Sequence, residues 1–240
     1  MSLSSLSVVL PCFNEEENVG EAVGNAIAAA GACSDRYEVV VVDDGSTDDT
    51  VTVLSELIAA DGPVRAIVHE RNQGYGEALK SGIRAAQMEW VLLADADLQF
   101  DLRDLEDFLP VAESADAIWG RRILRQDTWL RRAFAGAWNR LMRALFALPV
   151  RDVDCGFKLI RASILAHTEL QTTGAMISTE LAVQCSAQGA RFAEVGIRHH
   201  PRLAGEETGG NPRVIARAFS ELARMHRMLR RLSHDALPAP

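Results

Sequence analysis

The feature that most constrains the fold is an alternation of short apolar runs with segments of helical periodicity between residues 6 and 119. The apolar runs are rich in β-branched residues and predict strands at 6–10, 38–42, 64–68, 90–94 and 115–119. Helical spacing between them predicts helices at 16–30, 48–60, 74–86 and 101–113. Strands that alternate with helices favour a mostly parallel sheet covered by helices, which is an α/β fold.

The second half of the chain predicts longer helices and two further short strands. Its predicted elements are helices at 128–146, 178–188 and 212–232, a strand at the end of 149–161 and a strand at 191–197. We therefore expect one large domain over residues 1–211, with a change of character near residue 120. A basic amphipathic helix at 212–232 and a disordered tail at 233–240 would follow it.

Charge is distributed unevenly along the chain. The net charge is −8, yet residues 121–143 contain seven Arg and one Asp, and residues 213–231 contain six Arg and one Glu. Two basic segments on an acidic protein indicate an anionic partner. Nucleic acid is excluded as that partner, because aromatic residues make up only 6% of the chain and no nucleic-acid-binding motif is present.

The apolar stripe of the 212–232 helix has two interpretations. Such a stripe commonly packs on the core of its own domain. Together with the Arg residues on its other face, it is also typical of a helix that lies in an anionic membrane surface. Both interpretations stay open at this point.

The cysteines and the apolar runs indicate the compartment. Four cysteines are scattered without a C-x-x-C pair, which favours a reducing environment. The first apolar run stops at Pro11, and no run approaches the ~20 residues that span a bilayer. We expect a cytoplasmic protein without a signal peptide or a spanning helix.

Three segments rich in acids and amides follow predicted strands, at 11–18, 43–50 and 95–99. In open α/β sheets ligands bind beyond the carboxyl ends of the strands, so these segments are expected along one edge. None of them is a glycine-rich phosphate cradle, which argues against a dinucleotide fold or a P-loop.

The segment 90-WVLLADADLQFD-101 carries the strongest candidate site. If the chain stays extended past the strand, Asp95, Asp97 and Gln99 project to one side. Two carboxylates and an amide oxygen suit Mg²⁺ or Mn²⁺, although a helix-capping loop explains any single Asp equally well. Asp101 stands where the next helix begins and is interpreted as its N-cap.

Five motifs in this order, PCFNEEEN, VVVVDDGSTDDT, NQGYGEALKSGIRAA, LLADADLQFD and DCGFKLIR, resemble the catalytic domain of glycosyltransferase family 2, which has the GT-A fold. The likeness is greatest to polyprenyl-phosphate sugar transferases of the dolichol-phosphate mannosyltransferase type and covers about 7–161. It implies that residues 1–120 bind a nucleotide sugar and that residues 121–211 bind the acceptor.

The resemblance also implies a set of donor-binding residues. Asp95, Asp97 and Gln99 would hold Mg²⁺ or Mn²⁺ against the diphosphate of a GDP- or UDP-hexose. The residues implied to contact the nucleotide sugar are Pro11, Asn14, Glu15, Asp43, Asp44, Lys80, Asp95 and Arg202. Two of these have simpler explanations, because Asp44 also suits a tight turn and Lys80 a solvated helix position.

For the acceptor, the family's lipid-phosphate members imply basic residues after the fifth strand, here Arg121 and Arg122, and Arg131 or Arg132 in the following helix. Arginine matches phosphate through bidentate geometry. A phosphate acceptor is already ionised and needs no general base. The short G-x-S-K lid motif of these enzymes is absent, and 202–213 stands in its place.

The sequence therefore predicts a metal-dependent inverting glycosyltransferase that moves a hexose to a polyprenyl phosphate, with peripheral contact to the cytoplasmic membrane face. The residues expected to take part in catalysis are Asp97, Asp154 and Glu180. A second hypothesis keeps the enzyme but uses a soluble or saccharide hydroxyl acceptor, with Asp154 or Glu180 as base. A third is a non-catalytic nucleotide-sugar-binding partner subunit.

Overall fold

A seven-stranded sheet forms the centre of the protein in the computed structural model, which describes residues 1–59, 62–123, 129–174, 176–201 and 221–222, with 129–133 described by their backbone. The strands are β1 Leu6–Cys12, β2 Tyr37–Asp43, β3 Val64–Val68, β4 Trp90–Leu93, β5 Ala117–Ile123, β6 Lys158–Arg161 and β7 Phe192–Arg198. Their spatial order is β3-β2-β1-β4-β6-β5-β7. Strand β6 is antiparallel to both of its neighbours, and the other pairs are parallel.

Helices cover both faces of this sheet. They are α1 Val19–Cys33, α2 Thr50–Ala59, α3 Tyr75–Ala85, α4 Leu109–Ala112, α5 Trp129–Phe146, α6 Ala162–Leu165 and α7 Ile177–Ala187. The predicted α/β class is confirmed, and the elements predicted between residues 6 and 197 are present with one change of type. The segment predicted as a helix at 101–113 is a 3₁₀ helix, Leu102–Phe108, that continues into the short α4. Asp101 accepts a hydrogen bond from the Arg103 amide, as predicted for its N-cap.

The strands bury side chains on both of their faces. Along β1, Val8 and Leu10 belong to one core cluster, whereas Val9 belongs to the other. The first cluster packs against α1, and the second against α3, α5 and α7. This two-sided burial explains why the strands appear as continuous apolar runs rather than as alternating patterns.

The strand directions bring five segments to one edge of the sheet. Strands β1, β2, β4, β5 and β7 run the same way, so their carboxyl ends share that edge. Because β6 runs in the opposite direction, its amino-terminal approach, residues 152–157, arrives there as well. Acid-rich loops and the two arginines near the end of β5, Arg121 and Arg122, therefore lie along a single border.

The structure describes the cysteines that the sequence singled out, but only two residues of the predicted C-terminal helix. All four cysteines are buried and unbridged. Within the described ranges, no helix has both the length and the apolar character required to cross a bilayer. Of the predicted 212–232 helix only Glu221 and Leu222 are described, and Leu222 packs against the second core cluster. The loop 202–213, with Arg202, and the tail 233–240 lie outside the described residues.

Two helix glycines provide a test of this packing. A Cβ at Gly82 of α3 would lie 2.2 Å from Val9 Cγ1 in β1, whereas a Cβ at Gly24 of α1 would meet no atom within 4 Å. We expect Gly82→Ala to destabilise the fold by about 1–3 kcal/mol through overpacking. Gly24→Ala should stabilise it by about 0.5–1 kcal/mol through helix propensity. Urea denaturation measures both, and equal effects of the two changes would contradict the packing of α3 on β1.

Candidate active site

The loop after β2 is shaped by Asp43. This side chain is fully buried and accepts a hydrogen bond from the Ser46 amide at 3.1 Å and another from the Ser46 hydroxyl. Its carboxylate therefore closes a turn inside the loop, where it sets the backbone path of residues 43–47.

Asp44 joins this loop to the segment that leads into α3. Its carboxylate accepts from the backbone amides of Gln73 at 3.0 Å and Gly74 at 2.7 Å, and it pairs with His69 Nδ1 at 2.8 Å. The other ring nitrogen of His69 pairs with Ser81 Oγ in α3 at 2.9 Å. Asp44 therefore ties the loop after β2 to residues 73–74, whereas Asp43 closes the tight turn that the sequence had offered as an explanation of Asp44.

The loop after β1 is bonded to the same unit. Asn14 has a left-handed backbone with φ of 54°, and its Oδ1 accepts from the Thr47 amide at 2.8 Å. The Glu15 amide donates to Thr50 Oγ1 at 2.9 Å, and the Glu15 carboxylate accepts from Asn18 at 2.7 Å. Pro11 lies within β1, opposite Val42 of β2.

Gly45 allows the loop at residues 71–74 to pack against the loop that follows β2. Its φ is +72°, and a Cβ there would lie 2.4 Å from the carbonyl carbon of Arg71. Only glycine combines this backbone conformation with so close an approach. Three loops, 11–15, 43–47 and 71–74, therefore form one continuous wall beside the carboxyl ends of β1 and β2.

Asp95 carries the feature that best fits a metal. Its Oδ1 is buried and has no hydrogen-bond partner. The Tyr75 hydroxyl donates to the same carboxylate, and the pKa of Tyr75 is raised by burial and by the negative charge of Asp95, so the phenol stays protonated. Gly156 packs directly against the other oxygen of this carboxylate, since a Cβ there would lie 2.1 Å from Asp95 Oδ2. A buried carboxylate oxygen without a donor is costly, and a cation would satisfy it.

The backbone after Asp95 differs from the prediction. The extended conformation expected through Gln99 is wrong: β4 ends at Leu93, and Leu98 takes a left-handed conformation with φ of 59°. The turn is stabilised because Asp97 Oδ1 accepts from the Gln99 amide at 3.1 Å. Asp97 and Gln99 therefore lie on a turn that follows Asp95, not on an extended strand.

This turn also pairs with the segment after β7. The Gln99 side chain donates through Nε2 to the His200 carbonyl at 3.3 Å, and the His200 amide donates to the Gln99 carbonyl at 2.8 Å. The His199 ring packs on Phe100 with centroids 5.3 Å apart. Both histidines thus lie beside the acidic turn. The sequence could have indicated this position, because both histidines directly follow β7, whose carboxyl end lies at this edge.

The described residues contain no group of three His, Cys, Asp or Glu side chains close enough to hold an ion. A metal at this turn would therefore be held by the carboxylates of Asp95 and Asp97, with Gln99 Oε1, water or ligand oxygens completing its shell. Magnesium and manganese commonly bind through one or two carboxylates together with substrate phosphates.

Lys158 was missed by the sequence interpretation, although it stands in the DCGFKLIR motif. It is fully buried in β6, donates to Ser178 Oγ at 3.1 Å and lies 5.8 Å from the centroid of the Trp119 ring. Burial lowers its pKa, while the negative charges of Asp95 and Asp154 favour its protonated form. Lys158 is therefore the internal counter-charge of the acidic turn.

Asp154 lies between basic groups and the core. Burial raises its pKa to about 6, and the positive charges of Arg122 and Lys158 oppose that rise. The Trp138 indole donates a hydrogen bond to its carboxylate. A pKa of about 6 lets Asp154 change its protonation near neutral pH.

The arginines predicted to bind the acceptor differ in their partners and in their exposure to solvent. Arg122 forms a bidentate pair with Asp152, with distances of 2.8 and 2.7 Å, so its guanidinium is already engaged. Arg121 is exposed and forms no ion pair with any residue that the structure describes. The side chains of Arg131 and Arg132 lie outside the described residues.

An open cleft of about 890 Å³ lies next to Arg121, between the end of β5, α5 and residues 147–152. The charged and polar side chains that line it are Arg121, Arg122, Asn139, Arg140, Arg143, Arg151 and Asp152. Five arginines against one aspartate make this cleft suited to an anion.

Two further predicted residues have defined structural partners. Lys80 is buried, not solvated, and pairs with Glu77 one turn earlier in α3. Glu180 is 1% exposed, and its carboxylate accepts from the amides of Gln171 at 2.9 Å and Thr172 at 2.8 Å. Glu180 therefore holds the loop before α7, and both of its oxygens are occupied by that loop.

The buried lysine leads to a stability prediction. We expect Lys158→Met to destabilise the fold by about 3–5 kcal/mol, because it leaves buried carboxylates without a counter-charge. Adding Asp154→Asn should recover part of that loss. The double variant should therefore lose less free energy of unfolding than the two single variants lose together. Urea denaturation measures the three free energies of unfolding. Lys80→Met, which removes a pair with a partly exposed glutamate, is the control, and an equal loss there would contradict the role of Lys158.

Comparison with known families agrees with this geometry. A family model described as glycosyl transferase family 2 matches residues 7–168 and confirms the resemblance found in the sequence. A dodecaprenyl-phosphate galacturonate synthase from Rhizobium johnstonii is 32% identical over 219 residues, which cover 89% of this chain and 63% of the relative. An undecaprenyl-phosphate 4-deoxy-4-formamido-L-arabinose transferase from Edwardsiella ictaluri is 28% identical over 219 residues, which cover 89% and 66%. The chain thus spans less than two thirds of the length of either relative.

Among solved structures, a glucosyl-3-phosphoglycerate synthase from Mycobacterium tuberculosis superposes with a TM-score of 0.66 at 21% identity, covering 98% of this chain and 80% of that one. That structure contains Mn²⁺, uridine diphosphate and phosphoglyceric acid. At this identity the likeness shows the fold, and it confirms the GT-A class predicted from the sequence.

Proposed function

This chain belongs to glycosyl transferase family 2, and we propose that it moves a sugar from a nucleoside-diphosphate sugar to a polyprenyl phosphate in a metal-dependent, inverting reaction. The observation that carries the proposal is the buried Asp95 oxygen without a hydrogen-bond partner, at the same sheet edge as an arginine-lined cleft. The first feature suits a cation that holds a diphosphate, and the second suits an anionic acceptor.

The donor binds along the wall formed by loops 11–15, 43–47 and 71–74. Asp43 and Asp44 keep the loop backbones in place. The family resemblance adds Lys80 and Arg202 as further donor-binding residues. The donor is a UDP- or GDP-hexose. A relative in this family is named for transfer of galacturonate, a six-carbon sugar acid, and another for a modified arabinose.

The metal would be Mg²⁺ or Mn²⁺ held by Asp95, Asp97 and Gln99, and it would neutralise the charge that develops on the departing diphosphate. The protein supports this site in two ways. Tyr75 orients the Asp95 carboxylate, and Lys158 compensates its charge from within the core. Preorganised groups of this kind need no rearrangement during the reaction.

The acceptor phosphate binds at Arg121 and the α5 arginines of the cleft. Strands β4 and β5 are separated by β6 alone, so Leu93 at the end of β4 and Trp119 at the same level of β5 lie about 10 Å apart. A phosphate oxygen attacks the anomeric carbon while the bond from that carbon to the diphosphate breaks, and the nucleoside diphosphate leaves. An ionised phosphate needs no deprotonation, which agrees with Glu180 being engaged by its loop.

A lipid acceptor would require the enzyme to work at a membrane. Two curated relatives are named for dodecaprenyl and undecaprenyl phosphates, which are long isoprenoid lipids. We infer peripheral association with the cytoplasmic face, where nucleotide sugars are present.

Asp97→Ala tests the metal site. We expect transfer from the nucleotide sugar to a short polyprenyl phosphate to fall at least about 100-fold, because the diphosphate loses its electrostatic stabilisation. The Mn²⁺ dependence of that transfer should disappear, while the unfolding midpoint changes little. Asp101→Ala is the matched control from the same segment. It should lower stability by about 1 kcal/mol through the lost N-cap and retain metal-dependent transfer. Near wild-type activity of Asp97→Ala would overturn the assignment.

The alternative with a hydroxyl acceptor has one observation in its favour, because the pKa of Asp154 is about 6 and suits a general base. An alkyl phosphate also has a second pKa near 6, so a rise in kcat/KM with pH does not separate the two acceptors by itself. The Asp154→Asn variant separates them. With a phosphate acceptor, activity should stay within about tenfold and the rise should persist, because the titrating group belongs to the substrate. Loss of the rise with a fall of about 100-fold or more would favour the hydroxyl acceptor.

A further inference from the structure

Helix α5 exposes a row of large apolar side chains. Phe134 is 69% exposed, Leu141 40% and Leu145 42%. These positions are seven and four residues apart, so they lie on one side of the helix over about three turns. A neighbouring side of the helix is anchored in the protein, where Met142 is fully buried and Asn139 Oδ1 accepts a hydrogen bond from the Val153 amide at 2.8 Å.

Basic residues lie on the far edge of the exposed face of α5, because Arg140 is about 100° and Arg143 about 160° around the helix from Leu141. Arg140 and Arg143 are exposed and line the cleft beside Arg121 and Arg151. Residues 129–148 contain four Arg and no Asp or Glu, although the whole chain has a net charge of −8. The helix therefore combines an outward apolar row with a positive flank on a protein that is otherwise acidic.

We propose that α5 docks on an anionic lipid surface, with Phe134, Leu141 and Leu145 entering the interface and Arg140 and Arg143 against the lipid headgroups. A helix with an apolar side and an arginine flank gains both apolar burial and attraction to anionic lipids. Charge selects this occupant. A second copy of the chain docked through the same helix would bring the arginines of both copies together.

The position of α5 relates this surface to the proposed reaction, and that part of the inference rests on the proposed function. The arginine cleft lies between α5 and the end of β5. Docking of α5 on a membrane would therefore hold the cleft at the depth of the lipid headgroups. A lipid phosphate can then reach Arg121 while its isoprenoid chain stays in the membrane. Membrane contact through the 212–232 helix was one of two interpretations that the sequence left open, and α5 is a separate surface within the described residues.

Flotation with vesicles of phosphatidylcholine, with and without phosphatidylglycerol, tests the docking surface on the full chain. The apolar variant carries Phe134→Gln, Leu141→Gln and Leu145→Gln, which preserve helix propensity. The basic variant carries Arg140→Gln and Arg143→Gln. Their matched controls are Ile58→Gln on α2, a side chain that is 40% exposed, and Arg84→Gln on α3, which is also exposed.

Wild type should bind the anionic vesicles and bind the neutral ones much more weakly. The basic variant should lose about 30-fold in affinity, because each basic residue near an anionic surface contributes about fivefold. The apolar variant should lose at least about tenfold, and the controls should match wild type. Unchanged binding by either α5 variant, or equal binding to both vesicle types, would overturn the proposal. So would a self-associated oligomer that the apolar variant dissociates.

Transfer assays separate this inference from the proposed function. The apolar variant should keep wild-type transfer to a short, water-soluble isoprenyl phosphate and lose transfer to a long-chain acceptor held in anionic vesicles. Loss with both acceptors would contradict a docking role for the apolar row. If wild type transfers to neither acceptor but vesicle binding depends on α5 as expected, the docking surface stands and the proposed reaction fails.

Discussion

The site depends on the charge balance around Asp95 at the end of the central strand β4. One oxygen of this carboxylate is buried without a hydrogen-bond partner, and Tyr75 donates to the carboxylate. Lys158 compensates the charge from inside the sheet. A carboxylate in this environment gains most from a bound cation, because a cation satisfies both its charge and its open oxygen. The antiparallel β6 is what brings Lys158 between β4 and β5.

The acids of this edge divide into two kinds. Asp43, Asp44 and Glu180 are buried and accept hydrogen bonds from loop amides, so they determine the shape of the loops. Asp95 and Asp97 lie at the start of the turn that follows β4, and one Asp95 oxygen has no hydrogen-bond partner there. In the proposed function, the wall of loops would therefore be built by carboxylates that need not touch the donor. Removing one of them would alter binding through the loop backbone rather than through a lost ligand contact.

Acidic and basic functions occupy neighbouring parts of the same border. The loops after β1, β2 and β4 carry the acids, whereas the end of β5 and α5 carry the arginines. A diphosphate with a metal suits the first part, and an anionic acceptor suits the second. The pairing of Arg122 with Asp152 limits repulsion between the arginines and leaves Arg121, Arg140 and Arg143 facing the cleft. The apolar row of α5 extends this division from the site to the protein surface.

The sequence by itself determined the order of strands and helices, the edge where the polar loops gather, and the acidic segment after β4. These features follow from local periodicity and from the rule for the carboxyl ends of parallel strands. Only the tertiary structure decided which acids are engaged, because their partners are amides of loops distant in the chain, as with Asp44 and Gly74. It also showed the turn at Leu98, the burial of Lys158 and the exposure of Phe134. Burial and pairing arise from contacts across the sheet, which periodicity along one segment does not contain.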